Sequence, residues 1–207
     1  PYNADNDLLL RIAANSKVAE AYYLAEATTD KEAHIASMGK DGYMDYVIKN
    51  GTKIEGLSGA SDSDVTVTGM VGEYIITVVA VNGNDKMATE TTFTGLKWES
   101  IGIGMLSSSF FGGEGECEFY KASPVLKYKA IGPFEEGYDI VFDVADNNSV
   151  TVAQQAVYSS YGSYGTLYVS GNGALQSNKI TVNLTFRVSA GVFGAFTETF
   201  ILPATEP

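Results

Sequence analysis

From Lys179 to Val188 the chain alternates without interruption. Ile180, Val182, Leu184, Phe186 and Val188 take every second place, and Lys179, Thr181, Asn183, Thr185 and Arg187 fill the places between. Successive side chains of a strand point to opposite faces, so this spacing predicts a β-strand with one dry face in an antiparallel sheet. Ser189-Ala190-Gly191 supplies turn residues, and Val192 to Leu202 resumes β-type composition, which predicts a hairpin.

The same pattern, less cleanly drawn, runs through the rest of the chain. Strands are predicted over 7–14 and 20–26, the second burying its Tyr23 face. Thr29 to Glu32 has capping-box spacing and should open a helix, interrupted at Gly39 and Gly42 and ended by Asn50-Gly51. A short edge strand is expected over 53–57, another strand from Val65, and a central strand over 74–81 that turns at Asn82-Gly83-Asn84 into 87–94. Beyond Trp98, strands are expected over 116–120, 125–130, 138–144 and 150–152. A further strand over 166–170 should end in a turn at Gly171-Asn172-Gly173.

Two stretches resemble known proteins. The run VTVTGMVGEYIITVVAVNGNDKMAT, Val65 to Thr89, resembles the end of a fibronectin type III domain, in which Tyr74 would be the tyrosine-corner residue bonding a backbone group just upstream. Trp98-Glu-Ser-Ile-Gly-Ile-Gly104, the Phe110-Phe111 pair and the closing GVFGAFTETFILP of Gly191 to Pro203 resemble C-terminal modules of secreted surface lipoproteins of Bacteroidetes. Together they imply an all-β fold of two β-sandwich domains. Residues 1–95 would be a fibronectin type III-like or Ig-like domain with an inserted helix, and 96–207 a second sandwich module. They also imply an extracytoplasmic location, at the cell surface or in the periplasm, with a lipid anchor upstream of residue 1.

Length and charge narrow the function. A chain of 207 residues suits two domains of about 100 residues each. Thirteen basic against 25 acidic side chains leave a net charge of -12, which repels phosphate backbones and argues against nucleic-acid partners. The apolar run Ile75 to Val81 is far below the roughly 20 residues that span a bilayer, so no transmembrane segment is expected.

Candidate chemistry is sparse. Cys117 is the single cysteine, and its neighbours Glu116 and Glu118 disfavour a thiolate. His34 is the single histidine and has no partner nearby in sequence for catalysis or metal binding. The acidic turns Asp5-Asn6-Asp7, Asp62-Ser63-Asp64 and 143–148 carry oxygen ligands but lack EF-hand spacing. No P-loop or GxSxG element occurs, so no cofactor, metal or catalytic residue is assigned and the chain is read as a non-enzyme. Tyr158, Tyr161 and Tyr164, spaced by Ser and Gly, are the candidate ligand-binding residues. Large amphipathic rings on an adaptable backbone suit recognition, and flat rings with hydroxyls suit sugars. The function expected is a surface binding or adhesion module with a glycan or surface protein as partner. A glycan-processing enzyme with paired carboxylates and a structural spacer are the competing readings.

Overall fold

The computed structural model describes residues 2–204, so Pro1, the last three residues of the predicted second domain and any upstream anchor lie outside the described residues. The chain divides between Lys97 and Trp98 into two compact units.

In the first unit β2 (Glu20–Ala27), β3 (Thr52–Lys53), β5 (Gly72–Asn82) and β6 (Asp85–Gly95) form a four-stranded sheet in the order β3-β2-β5-β6. A separate two-stranded sheet pairs β1 (Leu8–Ala13) with β4 (Asp62–Val67), Leu10 opposite Val65. Alternation decides what each face of the larger sheet meets. Tyr22, Leu24, Val79 and Val81 meet Tyr43 and Val47 of the helix α1 (Thr28–Asn50). Ala21, Tyr23, Ile76 and Val78 face Leu8, Leu10, Ile12 and Val65 of the small sheet. The order of layers is therefore helix, four strands, two strands. The helix bends at Gly39, whose φ of 71° is open to glycine at little cost. The capping box predicted at Thr29–Glu32 does not form: the helix begins one residue earlier, with Ala27 as N-cap and no side-chain cap, so Thr29 lies inside its first turn.

The second unit is a closed barrel. Its strands are β7 (Lys97–Ser108), β8 (Gly113–Ser123), β9 (Lys127–Ala130), β10 (Ile140–Val144), β11 (Ser149–Tyr158), β12 (Leu167–Gln176), β13 (Lys179–Val188) and β14 (Gly191–Ile201). They close in the order β10-β11-β12-β13-β14-β7-β8-β9. Closure depends on the last strand pairing with the first, Glu198 opposite Ser108 and Phe200 opposite Leu106. The opening alternation holds: Ile180, Val182, Leu184, Phe186 and Val188 are all buried inside, and the chain returns along β14 as a hairpin.

These facts correct the expected fold. The protein is all-β in character, but it is not a pair of β-sandwiches, because the second unit is one sheet closed on itself. Alternation marks a strand as wet on one face and dry on the other; it does not say whether the dry face meets a second sheet or its own continuation. The turn expected at Gly171-Asn172-Gly173 is also absent, and β12 runs straight through it. A Cβ at Gly171 or Gly173 would lie 2.0 or 1.9 Å from the Asn183 or Thr181 carbonyl oxygen, so these glycines permit a close strand crossing rather than a turn. In the first unit Tyr74 sits beside Phe93 in the apolar layer, and its hydroxyl makes no hydrogen bond among the described residues. The tyrosine-corner role is therefore absent. Tyr74→Phe should change unfolding free energy by less than about 0.5 kcal/mol in urea titration; a loss above about 1 kcal/mol would reinstate a hydroxyl partner.

Candidate functional site

In an antiparallel barrel every second connection emerges at the same end. Segments 109–112, 131–139, 159–166 and 189–190 therefore share one end of this barrel. Aromatic residues converge there. Phe186, fully buried at the end of β13, stacks on Phe110 with ring centroids 4.0 Å apart and planes 5° from parallel. Phe196 of β14 and Phe134 meet the edges of this pair at 5.1 Å from Phe110 and 5.8 Å from Phe186. Offset and edge-on ring pairs of this kind each contribute about 0.5–1.5 kcal/mol beyond their buried area.

The three tyrosines of the sequence-based site divide between packing and exposure. Tyr161 lies 5.6 Å from Phe110 and 5.4 Å from Phe193, and Tyr158 lies 6.1 Å from Phe111; both pack against the barrel core. Tyr164 stands outside, 54% exposed, at the end of a short 3-10 turn closed by Tyr164 N–H donating to the Tyr161 carbonyl at 3.1 Å. The exposed neighbours of Tyr164 come from β14: Phe193, 5.8 Å away and 39% exposed, and Val192, 60% exposed. These three with Val188, Ala190 and Gly191 line a shallow depression of about 140 Å³. Phe111, 39% exposed, extends the apolar surface on the other side of Phe110. The loop is pinned through Glu135, whose carboxylate accepts from the Ser159 hydroxyl at 2.9 Å and from the Ser159 N–H.

Beneath the rings lies a residue that sequence reasoning missed. Glu198 is fully buried on the inward register of β14, between Phe196 and Phe200. Its Oε1 accepts from the Phe110 N–H at 3.0 Å, which fixes the turn carrying Phe110 and Phe111. Its Oε2 has no hydrogen-bond partner. Burial pushes its pKa above the ordinary carboxylate value, against the opposing pull of the Ser108 hydroxyl and the Phe110 N–H. The available signal was the position itself, a glutamate on the dry face of an alternating strand. Phe193 was missed as well, because Val192 to Leu202 was read only as the β-type return strand of the closing hairpin.

The other candidates of the sequence are engaged in structure. Asp7 accepts from the N–H groups of Asn3 at 2.7 Å and Gly69 at 3.0 Å, which hold its pKa below the ordinary value. Asp62 pairs with Arg11 at 2.9 Å and Asp143 with Lys127 at 2.8 Å. Cys117 is buried, its thiol pushed up to about 11 chiefly by burial, and donates weakly to the Ile131 carbonyl at 3.4 Å. His34 Nδ1 lies 2.8 Å from Glu26, whose other oxygen accepts from the Tyr43 hydroxyl at 2.6 Å, and its ring rests 4.3 Å from that of Tyr46. That cluster ties α1 to the sheet. Comparison with protein families, curated proteins and solved structures finds no match to this chain.

Buried Glu198 should make the stability of the aromatic end depend on pH. Its folded-state pKa lies above its ordinary 4.5, so the folded protein holds the proton more tightly than the unfolded chain. The stabilisation is complete below about 4.5 and is lost as pH rises through the folded pKa. Glu198→Gln, neutral throughout, should flatten this dependence and be at least as stable as the parent at pH 7 in urea titrations run from pH 4 to 7.5. A parent more stable than the variant at pH 7 by over about 1 kcal/mol would mean that the ionised carboxylate is needed.

Proposed function

We propose that the protein is an extracytoplasmic surface module that binds glycans at the aromatic end of its barrel. The observation that carries this reading is the exposed group of Tyr164, Phe193 and Val192 around a shallow depression, with Phe111 nearby. Large apolar side chains cost free energy when left in water, and a contiguous group of them at the rim of a rigid barrel marks a recognition surface. Sugar rings present an apolar C–H face that packs on an aromatic ring and a rim of hydroxyls that need polar partners. The Tyr164 hydroxyl and the exposed Ser159, Ser160 and Ser163 belong to the same loop as the exposed Tyr164 ring. The net charge of -12 favours neutral ligands over anionic ones. The extracytoplasmic location in this proposal rests on the sequence resemblance to surface lipoproteins alone.

One sugar ring buried on one aromatic face gains about 1–2 kcal/mol at 25 cal/mol per Å². Two or three such contacts give a millimolar-class site, which display of many copies on a surface would strengthen by avidity. Catalysis is not part of the proposal. Glu198, the buried carboxylate nearest these rings, is spent on the Phe110 turn and has no exposed surface.

The Tyr164→Ala/Phe193→Ala double variant should lose glycan-array binding by at least about tenfold, the equivalent of 1.4 kcal/mol, while keeping the amide spectrum of the barrel. Undiminished binding by that variant, or an array on which the parent binds nothing, would reject this reading.

A further inference from the structure

The larger sheet of the first unit ends on one side in a bare strand. β6 stands last in the order β3-β2-β5-β6 and pairs with β5 alone among the described residues. From Met87 to Thr92 every residue of it is exposed, Met87 at 73%. Asn82 and Asp85 flank the two-residue turn Gly83-Asn84 and so form a pair that exchanges two hydrogen bonds. Bonding alternates from there along an antiparallel ladder. Met87, Thr89 and Thr91 therefore direct their N–H and C=O groups to β5, whereas Lys86, Ala88 and Glu90 direct theirs outward, to a free edge.

Charge decides what this edge pairs with. Consider β6 set antiparallel against β6 of a second copy about a two-fold axis, with outward-bonding residues opposite outward-bonding residues. An axis through Lys86 or Glu90 places that charge against its own copy, which is destabilising. An axis through Met87 or Thr89 leaves both charges without an opposite. An axis through Ala88 places Lys86 of each copy against Glu90 of the other, Met87 against Thr89, and Asp85 against Thr91. A lone charge on an edge strand discourages pairing. Two opposite charges spaced evenly about Ala88 permit it in this one register, with a partner that carries the same spacing, and the chain itself carries it. Both side chains lie on the helix face, where Lys86 pairs with Asp45 and Glu90 with Lys31 of α1. In the joined sheet Asp45, Lys86, Glu90 of the second copy and Lys31 of the second copy follow one another as alternating charges.

Space permits the union. The helix packs over β2 and β5, on Tyr22, Leu24, Val79 and Val81, and not over the outer side of β6. In a joined sheet the two copies of β5 are three strand spacings, about 14 Å, apart. That exceeds the roughly 8–10 Å at which two helices pack.

We propose that the protein self-associates through β6, as a two-fold dimer whose sheet runs from one copy into the other with Ala88 on the axis. Three outward-bonding pairs with two bonds each supply about six hydrogen bonds. An interface one strand wide belongs with the weak contacts, with Kd on the order of 10–100 µM. It shares no residue with the glycan surface proposed for the barrel and stands or falls without it.

Sedimentation velocity of the intact protein tests this, over concentrations from about 10 to 500 µM. The parent should pass from monomer to dimer across that range. Ala88→Glu and Ala88→Lys change an exposed side chain and set like charges opposite each other on the axis, so each should raise the dimer Kd at least tenfold. An equimolar mixture of the two variants should dimerise again, because only this register puts residue 88 opposite itself. In the parent alone, hydrogen exchange of the Lys86, Ala88 and Glu90 amides should slow as concentration rises, while that of Met87, Thr89 and Thr91 stays slow throughout. A parent that remains monomeric, charged variants that dimerise as the parent does, a mixture that stays monomeric, or outward amides indifferent to concentration would each overturn the proposal.

Discussion

An eight-stranded barrel encloses a space that its own side chains must fill, and this constraint governs the second unit. Phe119, Phe142, Phe186 and Phe200 are all fully buried within it. Ring volume of this order leaves no room at the points where strands cross closely, and glycine resolves the conflict. A Cβ at Gly104 would lie 2.1 Å from the Ile201 carbonyl oxygen and 2.9 Å from the Phe119 ring. The large rings and the missing side chains are two halves of one packing solution, which also fixes how β14 reaches β7 to close the sheet.

At the aromatic end the same filling continues past the last strand residues. Phe186 is the last fully buried ring; Phe110 stacks on it, and Tyr161 and Phe193 pack on Phe110 in turn. Phe110 and Tyr161 are half-buried, and Phe193 is exposed. The exposed rim is thus the outer surface of the core itself, held by the Glu198 bond to the Phe110 N–H and by Glu135 on Ser159. The binding surface proposed for this end would be held in place before ligand arrives, which would limit the entropy lost on binding. The first unit solves its burial problem differently: α1 covers one face of its sheet completely enough to bury Tyr43 and Val47, while two strands cover only part of the other.

Strand positions were legible wherever one face is dry, as at Ile180 to Val188 and in the central strand over 74–81. The helix was legible from its change of period and from Gly39, although its capping was not, because the helix starts at Thr28 and leaves Thr29 inside its first turn. Closure of the barrel was not legible, since β14 meets β7 across some ninety residues of sequence and alternation carries no information about the partner. Gly171 and Gly173 misled because a glycine that allows a turn and one that allows a close crossing look alike in sequence. The candidate site was half legible: the Tyr/Ser/Gly composition located the loop, but only the fold separates Tyr164 from Tyr158 and Tyr161 and brings Phe193 beside it.

The central claim is that this end of the barrel has two layers, inner rings that hold the fold and outer rings left for a ligand. Denaturant unfolding of Phe110→Ala and Tyr164→Ala, measured side by side, tests it most directly. The account predicts a loss of about 3 kcal/mol or more for Phe110→Ala, as for other large-to-small core changes, and less than about 1 kcal/mol for Tyr164→Ala. Equal losses, or a larger one at Tyr164, would contradict it.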